Sequence, residues 1–168
     1  MAGPASPPLV MLHLGLGSFH RAHQAVYLHR LIESGDSRWV LAGGNIRADM
    51  AETMAALAAQ GGAFTLETVT PSGERSYAWI RSIRTVVPWD SALSGLVKIG
   101  ADPATRIISF TVTEAGYYLD TGNRLDFRAS DLAADLAAAR QGQAGSTIYG
   151  ALTAILRERI ARGAGAVT

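Results

Sequence analysis

A chain of 168 residues with a net charge of +1 and no cysteine can bury one sizeable core, and it offers neither disulfides nor thiolate metal ligands. Its near-neutral charge argues against nucleic acid as a partner and against a polybasic membrane surface. No segment has the pattern of a signal peptide or a membrane span, so we expect a cytoplasmic protein without a membrane partner.

The first third of the chain alternates between strand and helix patterns. Residues 1–8 form a tail rich in proline and alanine that we expect to be disordered, and residues 9–168 are predicted to form one domain. Apolar runs and helical apolar stripes then predict a strand at 9–14, a helix at 21–33, a strand at 39–43 and a helix at 49–60. This β-α-β-α order favours a parallel sheet with right-handed crossovers.

The pattern changes in the middle of the chain. Residues 64–69 and 75–83 carry strand-forming residues on either side of a turn at 71–74, which predicts a β-hairpin inserted into the sheet or running beside it. The remaining predicted elements are a helix at 90–99 with Asp90 near its start, a strand at 106–112, a helix at 131–140, and a last helix that Ser146 caps and that ends at about 162. Together they predict an α/β fold, Rossmann-like and doubly wound, with a mostly parallel sheet.

The most informative stretch joins the first strand to the first helix. After an apolar strand, Gly15 and Gly17 allow positive φ angles and a close approach of a ligand to the backbone. The free N–H groups of a helix start then point at the turn, and this combination binds phosphate or pyrophosphate. His20 stands where the third glycine of G-x-G-x-x-G would be, so the motif alone also fits a strand–helix corner without a ligand.

The residues after the glycines favour an anionic ligand. Ser18 can bond a phosphate oxygen or cap the helix. His20, Arg21 and His23 bring three nitrogen-rich side chains to a helix start, where negative charge is usually preferred. A bound anion would remove this conflict, so we interpret the stretch as the cofactor seat of a nucleotide-binding domain.

Two further loops follow strands whose carboxyl ends should meet the glycine turn. After the second strand, Asn45 can bond ribose hydroxyls, Asp49 can accept from a 2′-hydroxyl and Arg47 could meet a 2′-phosphate, which leaves NAD and NADP open. In the third loop, Thr113 would lie near the nicotinamide, and a partly buried Glu114 could assist proton transfer unless it only caps a helix. The predicted cofactor-binding residues are Gly15, Gly17, Ser18, Phe19, His20, Arg21, Asn45, Arg47, Asp49 and Thr113.

The four histidines are not expected to form a metal site. His20 and His23 have a usable spacing, but no carboxylate stands close to them in sequence, and we predict no bound metal. We expect His13 to be a satisfied core residue of the first strand and His29 to lie on a helix surface. The sequence has no G-x-S-x-G elbow, which argues against acyl transfer.

Four stretches carry motifs that are specific when they occur together: Gly15–Gln24, Gly35-Asp36 with Trp39, Asp102–Arg106 and Thr111–Tyr117. They resemble the mannitol dehydrogenase family of long-chain, metal-independent polyol dehydrogenases, and the resemblance covers about residues 9–168. It implies NAD-dependent oxidation of a secondary alcohol of a sugar alcohol, of the D-arabinitol or mannitol type, to a ketose. It also implies that the glycine turn binds the pyrophosphate and that Glu114 matches the family's glutamate near the active site. Residues 43–47 and the helix around Tyr149 are most similar to family members that act on D-arabinitol.

The resemblance also implies parts that this sequence does not contain. In the family a further strand and a C-terminal helical domain follow the last predicted helix, and that domain supplies a lysine base with an asparagine and a histidine that hold the substrate oxygen. Lys98, the only lysine, lies outside any family motif and is expected to be exposed. We therefore expect a truncated, cofactor-binding half that is inactive alone and meets a polyol only together with a C-terminal domain. The alternatives are a non-catalytic fragment or interaction module without a cofactor, and a methyltransferase that uses the same turn.

Overall fold

A computed structural model describes residues 7–168, so residues 1–6 of the predicted tail lie outside the described residues. The strands are β1 (Leu9–Leu14), β2 (Trp39–Gly44), β3 (Phe64–Val69), β4 (Arg75–Ile80), β5 (Ile83–Val86) and β6 (Thr105–Phe110). The helices are α1 (Ser18–Ala22), α2 (Gln24–Glu33), α3 (Ala51–Ala59), α4 (Ser94–Gly100), α5 (Ser130–Arg140) and α6 (Ile148–Ala161), with a 3₁₀ turn at Glu114–Tyr117. Within the described range, no helix is both long and apolar enough to cross a membrane.

The main sheet is parallel, and its four strands stand in the order β5-β2-β1-β6. Counted along the chain within this sheet, the order is 3-2-1-4, which is the arrangement of a nucleotide-binding half of the Rossmann fold. β1 is central, and its last residue, Leu14, stands beside Gly44 of β2 and Phe110 of β6. The carboxyl ends of these three strands therefore meet at one edge, and the predicted α/β fold with a mostly parallel sheet is confirmed.

Helices cover both faces of the sheet because successive strand residues alternate between two apolar cores. Leu12 and Leu14 of β1 pack in one core with residues of α4 and α6. Leu41 of β2 packs in the other core with residues of α2 and α3. His13 lies between the two leucines of β1 and therefore faces the second core, beside its register partner Ser109 of β6.

The predicted hairpin is present, but its second strand is shorter than predicted and one strand was missed. β3 and β4 pair in antiparallel fashion over their whole length and form a separate two-stranded sheet. The segment predicted as one strand at 75–83 ends at Ile80, and β5 then joins the parallel sheet beside β2. Between them the buried Ser82 hydroxyl donates to the carbonyl of Ala25 in α2 (2.6 Å), which fixes the chain as it passes between the two sheets.

The first predicted helix starts earlier than predicted and is broken. α1 begins at Ser18 with Gly17 at its N-cap, and His23 interrupts the helix with φ −122° and ψ −85° before α2 begins. The His23 N–H is shared between the carbonyls of Phe19 and His20, at 3.1 and 3.3 Å. The glycine turn is therefore followed by a helix of five residues rather than by one long helix.

Two other helices also start later than predicted. α3 begins at Ala51 after Met50, whose φ of 61° is left-handed, so Asp49 lies in the preceding loop. α4 begins at Ser94 rather than at residue 90. The Asp90 carboxylate nevertheless accepts the Ser94 N–H (3.0 Å), so it caps the start of the helix from the preceding loop, in line with its predicted place near the start.

A buried carboxylate organises the start of α6, and Thr147 rather than Ser146 is the cap. The Thr147 side chain accepts the N–H of Gly150 (3.3 Å), and its hydroxyl donates to Asp135 of α5 (2.5 Å). Asp135 also accepts the N–H groups of Ser146 (2.8 Å) and Thr147 (3.0 Å). These bonds fix α5 against the start of α6, and we call the arrangement of Asp135, Ser146, Thr147 and Gly150 the α6 junction.

One side chain near the end of α6 holds the residues that follow the helix. Arg159 is buried, and its guanidinium donates to the backbone carbonyls of Gly100, Asp102, Ala164, Gly165 and Ala166. Beyond them, the Thr168 N–H donates to the carbonyl of Arg106 (3.0 Å), and the Thr168 carbonyl accepts the N–H of Ile108 (2.8 Å). The chain therefore runs beside the outer edge of β6.

Candidate functional site

A cleft of about 420 Å³ opens at the edge of the sheet where β1, β2 and β6 end. Its volume lies within the range of small-molecule and cofactor sites. The cleft is lined by the three loops that the sequence singled out, and it brings together nine of the ten predicted cofactor residues; Arg21 does not line it. The nine are Gly15, Gly17, Ser18, Phe19, His20, Asn45, Arg47, Asp49 and Thr113.

A larger groove, of about 1010 Å³, lies elsewhere, between the end of α5 and the helices α4 and α6. Helix and loop side chains line it, among them Arg140, Arg157 and Glu158. Arg157 already donates to the carbonyl of Ala139. Among the described residues, no strand end contributes to this groove. Ligands of open α/β sheets bind at the carboxyl ends of strands, so we assign the candidate site to the smaller cleft.

The glycine turn forms one wall of the cleft. Gly15 has φ +112°, a conformation that favours glycine, and its N–H donates to the carbonyl of Gly44 (2.9 Å), which ties the turn to the end of β2. A Cβ placed on Gly17 would meet no atom within 4 Å, so the space over this residue is open. The first N–H groups of α1 have no partner within the helix and face this space at the turn.

Asn45 braces two loops of the cleft. It is 6% exposed, its Oδ1 accepts the N–H of Leu16 (3.0 Å), and its Nδ2 donates to the carbonyl of Asp49 (3.2 Å). The side chain that was predicted to meet a ribose is therefore engaged in holding the loop after β2 against the glycine turn.

The polar and basic residues at the start of α1 find partners in the protein's own backbone. Arg21 Nη1 donates to the carbonyl of Leu16 (2.5 Å), and His23 Nδ1 donates to the carbonyl of Phe19 (2.8 Å). Ser18 lines the cleft but makes no side-chain cap bond, because Gly17 is the N-cap. Basic side chains at a helix start were expected to need a bound anion. Arg21 and His23 instead donate to backbone carbonyls, so no anion is required to explain their position.

Beneath the glycine turn two histidines form a buried stack. The ring centroids of His13 in β1 and His20 in α1 lie 3.8 Å apart with an interplanar angle of 21°, and each residue is 2% exposed. The Ser109 hydroxyl of β6 donates to Gln24 Oε1 (3.3 Å), so His13 Nδ1 is the donor in its 2.8 Å bond to Ser109 Oγ. We call these four residues the histidine cluster.

Three ring nitrogens of the cluster, His13 Nε2 and both nitrogens of His20, have no hydrogen-bond partner among the described residues. Burial lowers the pKa of His13 to about 4, although the nearby Gln24 side chain opposes this shift. Burial lowers the pKa of His20 to about 3, and the neighbouring His13 and Arg21 add to the shift while Gln24 opposes it. Both rings are therefore neutral at pH 7 and offer no positive charge to an anion. His13, expected to be satisfied, has only one of its two nitrogens paired.

Arg47 links the loop after β2 to the opposite side of the cleft. Its Nη2 donates to the Tyr118 hydroxyl (3.2 Å), its Nε donates to the carbonyl of Ser146 (3.3 Å), and its guanidinium lies 3.9 Å from the Asp131 carboxylate. The Tyr118 hydroxyl in turn donates to Asp131 (2.9 Å). The charge of Arg47 is therefore partly balanced within the protein, while Asp49 is exposed at the same cleft.

The loop after β6 contributes Thr113 to the cleft, whereas Glu114 starts the 3₁₀ turn and does not line it. Glu114 is exposed, so the prediction that it is at least partly buried is wrong: the strand ends at Phe110, four residues earlier, and the chain has left the sheet by Glu114. Lys98 is exposed in α4, as predicted, and lies outside the cleft.

The remaining histidine, His29, was placed wrongly. It is buried rather than on the helix surface, its Nε2 lies 3.3 Å from Glu33, and its Nδ1 accepts the N–H of Arg81 (3.5 Å). The hairpin and the chain leading to β5 cover this side of α2, which the helical pattern alone could not show. Within residues 7–168 there is no group of three or more histidine, aspartate or glutamate side chains that could hold a metal.

Comparison with known proteins gives a consistent result at the level of sequence. No family model matches the chain. D-arabinitol 4-dehydrogenase of Ralstonia nicotianae is 62% identical over 162 residues, which cover 95% of this chain and 34% of that protein. The enzyme of the same name from Klebsiella pneumoniae is 57% identical over 157 residues, or 94% of this chain and 33% of that protein. The chain therefore spans about a third of the length of the curated relatives it matches.

A solved structure matches the fold as well. Mannitol 2-dehydrogenase of Pseudomonas fluorescens, in a ternary complex with NAD and D-mannitol, superposes with a TM-score of 0.85 at 29% identity. The match covers 96% of this chain and 32% of that one. The resemblance that the motifs predicted is thereby confirmed.

Proposed function

We propose that this chain, which belongs over its aligned length to the mannitol dehydrogenase family of polyol dehydrogenases, is the part of such an enzyme that binds the dinucleotide NAD(H). The observation that carries the proposal is the cleft, which gathers nine of the ten predicted cofactor residues at the carboxyl ends of three parallel strands. The Pseudomonas fluorescens relative, whose fold matches this chain, forms a complex with NAD.

The cleft suits a dinucleotide because its wall at the glycine turn is backbone rather than side chain. The open space over Gly17 lets a diphosphate approach, and the N–H groups of Ser18 and Phe19 at the start of α1 can donate to it. Arg21 is committed to the Leu16 carbonyl, so in this proposal the backbone supplies the diphosphate contact.

The two ends of the cleft differ in character, and this suggests the orientation of the cofactor. Arg47 and Asp49, after β2, would lie beside the adenosine ribose, and Thr113, after β6, would lie beside the nicotinamide. A 2′-phosphate would meet the carboxylate of Asp49 and an arginine that Asp131 already partly neutralises. We therefore expect NAD(H) to bind more tightly than NADP(H).

Polyol oxidation needs more than this cleft supplies. The oxidised cofactor, when bound, would take a hydride from the alcohol carbon, and the hydroxyl proton must then pass to a base. Lys98 is exposed and lies outside the cleft, and Glu114, directly after Thr113, has at most an auxiliary role. We propose that oxidation of a D-arabinitol- or mannitol-type polyol to a ketose requires residues beyond those of this chain.

A calorimetric titration of the 168-residue chain with NADH and with NADPH tests the proposal, with thermal unfolding as a second readout. NADH at a concentration about 100 times its Kd should stabilise the folded chain by roughly 2.7 kcal/mol. The same chain should give no turnover with D-arabinitol and NAD. A folded chain that gives no heat and no stabilisation with either dinucleotide would support the interaction-module alternative, and turnover would refute the requirement for further residues.

Matched glycine variants separate cofactor binding from folding. Gly17→Ala adds a methyl group into open space at an ordinary φ of −67°, so it should weaken NADH binding about tenfold or more while leaving unfolding nearly unchanged. Gly15→Ala and Gly35→Ala are strained alike, at φ +112° and +102°, and neither Cβ would meet a neighbour within 4 Å. Both should lose similar stability, but only Gly15→Ala should also weaken NADH binding. Equal NADH affinity in all three variants would contradict the site.

A further inference from the structure

The histidine cluster occupies the place where a phosphate-binding turn normally has its third glycine. In G-x-G-x-x-G that glycine allows the helix to pack closely on the strand. Here the position is His20, and its ring stacks on His13 of the strand beneath it. The contact between α1 and β1 is therefore made through two imidazole rings.

Further bonds hold the lower ring in place. His13 donates to Ser109 of β6, and Ser109 donates to Gln24, the first residue of α2. The helix breaks at His23, and His20 is the one residue of α1 that is buried, while the bond between Ser109 and Gln24 ties the start of α2 to β6. A change in either ring would therefore shift the start of α1, where Gly17, Ser18 and Phe19 lie.

The ring nitrogens of His20 do not explain its position. Both lack a partner and both are buried from the cleft, although other atoms of the residue line it. No ligand can reach these nitrogens while the stack is closed. The stack does, however, fix the distance between β1 and α1.

We propose that His20, stacked on His13, is a positioning residue: the pair sets the height of α1 above β1 and thereby aims the N–H groups of Gly17–Phe19 at the diphosphate of the cofactor. The inference rests on the proposed dinucleotide site and adds a role for the shape of the ring. It assigns to two stacked rings the spacing function that glycine has in the usual motif.

Three substitutions at one position test whether the ring or its nitrogens matter. His20→Ala removes the stack and should weaken NADH binding about tenfold or more. His20→Phe restores a flat ring without nitrogens and should recover most of that loss, whereas His20→Gln keeps polar atoms without a ring and should not. Leu28→Ala is the matched control, because Leu28 is buried in α2 in the second core and its truncation lowers the melting temperature without touching the cleft.

The Kd for NADH is measured on folded protein, well below each melting temperature. A merely structural histidine would lower the melting temperature and leave the Kd unchanged, as expected for Leu28→Ala, and that result would overturn the inference. Recovery by glutamine but not by phenylalanine would overturn it as well. His13→Ala should match His20→Ala, and the double variant should bind no more weakly than either single variant, because both remove one contact; additive losses would contradict the shared role.

A cofactor-independent readout separates this inference from the proposed function. In isotope-labelled protein without NADH, the amide signals of Gly15 and Gly17 should move in His20→Ala and return towards the original positions in His20→Phe. If the unsubstituted chain binds no dinucleotide, the proposed function is wrong. The glycine amide signals still show whether His20 determines the position of the turn. Unchanged glycine signals in His20→Ala would overturn the positioning role whatever NADH does.

Discussion

Two buried polar regions of this molecule are built in opposite ways. At the α6 junction, the Asp135 carboxylate accepts two backbone N–H groups and a hydroxyl. In the histidine cluster, three ring nitrogens have no partner among the described residues. Leaving a buried polar group unpaired costs about 1–3 kcal/mol, so the cluster is the less stable arrangement.

The difference separates stability from function. The fully bonded junction lies between α5 and α6, and none of its four residues lines the cleft, although Ile148, directly after Thr147, does and Arg47 donates to the Ser146 carbonyl. The cluster lies directly beneath the glycine turn. Unsatisfied or strained groups tend to concentrate at functional sites, where the surrounding fold tolerates their cost. We therefore expect substitutions at the junction to act on unfolding and substitutions at the cluster and turn to act on binding.

The largest expected effect is that of Asp135→Ala. It leaves the N–H groups of Ser146 and Thr147 and the Thr147 hydroxyl without their acceptor, so the free energy of unfolding should fall by roughly 4 kcal/mol. Urea unfolding measures this loss. Asp126→Ala, which removes a partly exposed carboxylate paired with Arg128, is the control and should change much less. An equal loss of unfolding free energy in Asp135→Ala and Asp126→Ala would contradict the proposed role of the α6 junction in stability.

The histidine cluster predicts acid sensitivity. The folded-state pKa values of His13 and His20, about 4 and about 3, lie below the ordinary value of 6.5, so the unfolded chain binds protons first as the pH falls. Their contribution to stability is complete only well above pH 6.5, and for the two histidines together it should decrease by about 3 kcal/mol between pH 6.5 and 5. The double variant His13→Phe/His20→Phe should lose less stability over this range in urea unfolding. A parallel decline in both proteins would assign the sensitivity to other groups.

A pair of glycines sharpens the comparison further. A Cβ on Gly150 would overlap the Asp135 carboxylate and lie 2.5 Å from Cα of Gly145, so Gly150→Ala should cost about 2 kcal/mol in urea unfolding. Gly17→Ala, in open space, should change unfolding by less than about 0.5 kcal/mol. NADH affinity should respond in the reverse order, with Gly150→Ala close to the unsubstituted chain. An opposite ranking in either measurement would contradict the division of roles.

The smallest expected effect concerns cofactor preference within the cleft. Asp49→Asn removes the exposed carboxylate that would face a 2′-phosphate, so the affinity for NADPH relative to NADH should rise about three- to fivefold. Parallel titrations with the two dinucleotides measure the ratio. Glu52→Gln, in the first turn of α3, removes a nearby exposed charge outside the cleft lining and should leave the ratio unchanged. A ratio that moves only in Glu52→Gln would place the ribose elsewhere.

Local patterns predicted the parallel sheet and the three loops of the cleft, because the carboxyl ends of parallel strands must share an edge. They missed what depends on contacts between distant residues. The division between β4 and β5 follows from the bond between Ser82 and Ala25, 57 positions apart. The histidine cluster depends on the register of β1 and β6, which brings His13 to Ser109, 96 positions away.

Other errors arose where neighbouring residues fit the same local role equally well. Ser146 and Thr147 can both cap a helix, and only the position of Asp135 decides for Thr147. The alternation of side chains along a strand places His13 on the face opposite Leu12 and Leu14, and it could have indicated that His13 meets the helix carrying His20. The exposure of Glu114 depended on where β6 ends, and strand ends are the least certain part of any prediction from sequence.

The five carbonyls gathered by Arg159 have a consequence for how this molecule meets its neighbours in solution. Unpaired backbone groups on an outer strand favour aggregation, and β6 is the outermost strand on one side of the parallel sheet within residues 7–168. The Arg159 guanidinium bonds the carbonyls of residues 164–166 and thereby keeps Thr168 paired along that edge. The paired residue covers part of the edge of β6. Lysine has three hydrogen-bond donors where arginine has five, so even Arg159→Lys would leave some of these carbonyls unbonded and weaken the pairing of Thr168 with β6. We expect light scattering to detect self-association of this variant before any loss of helix content.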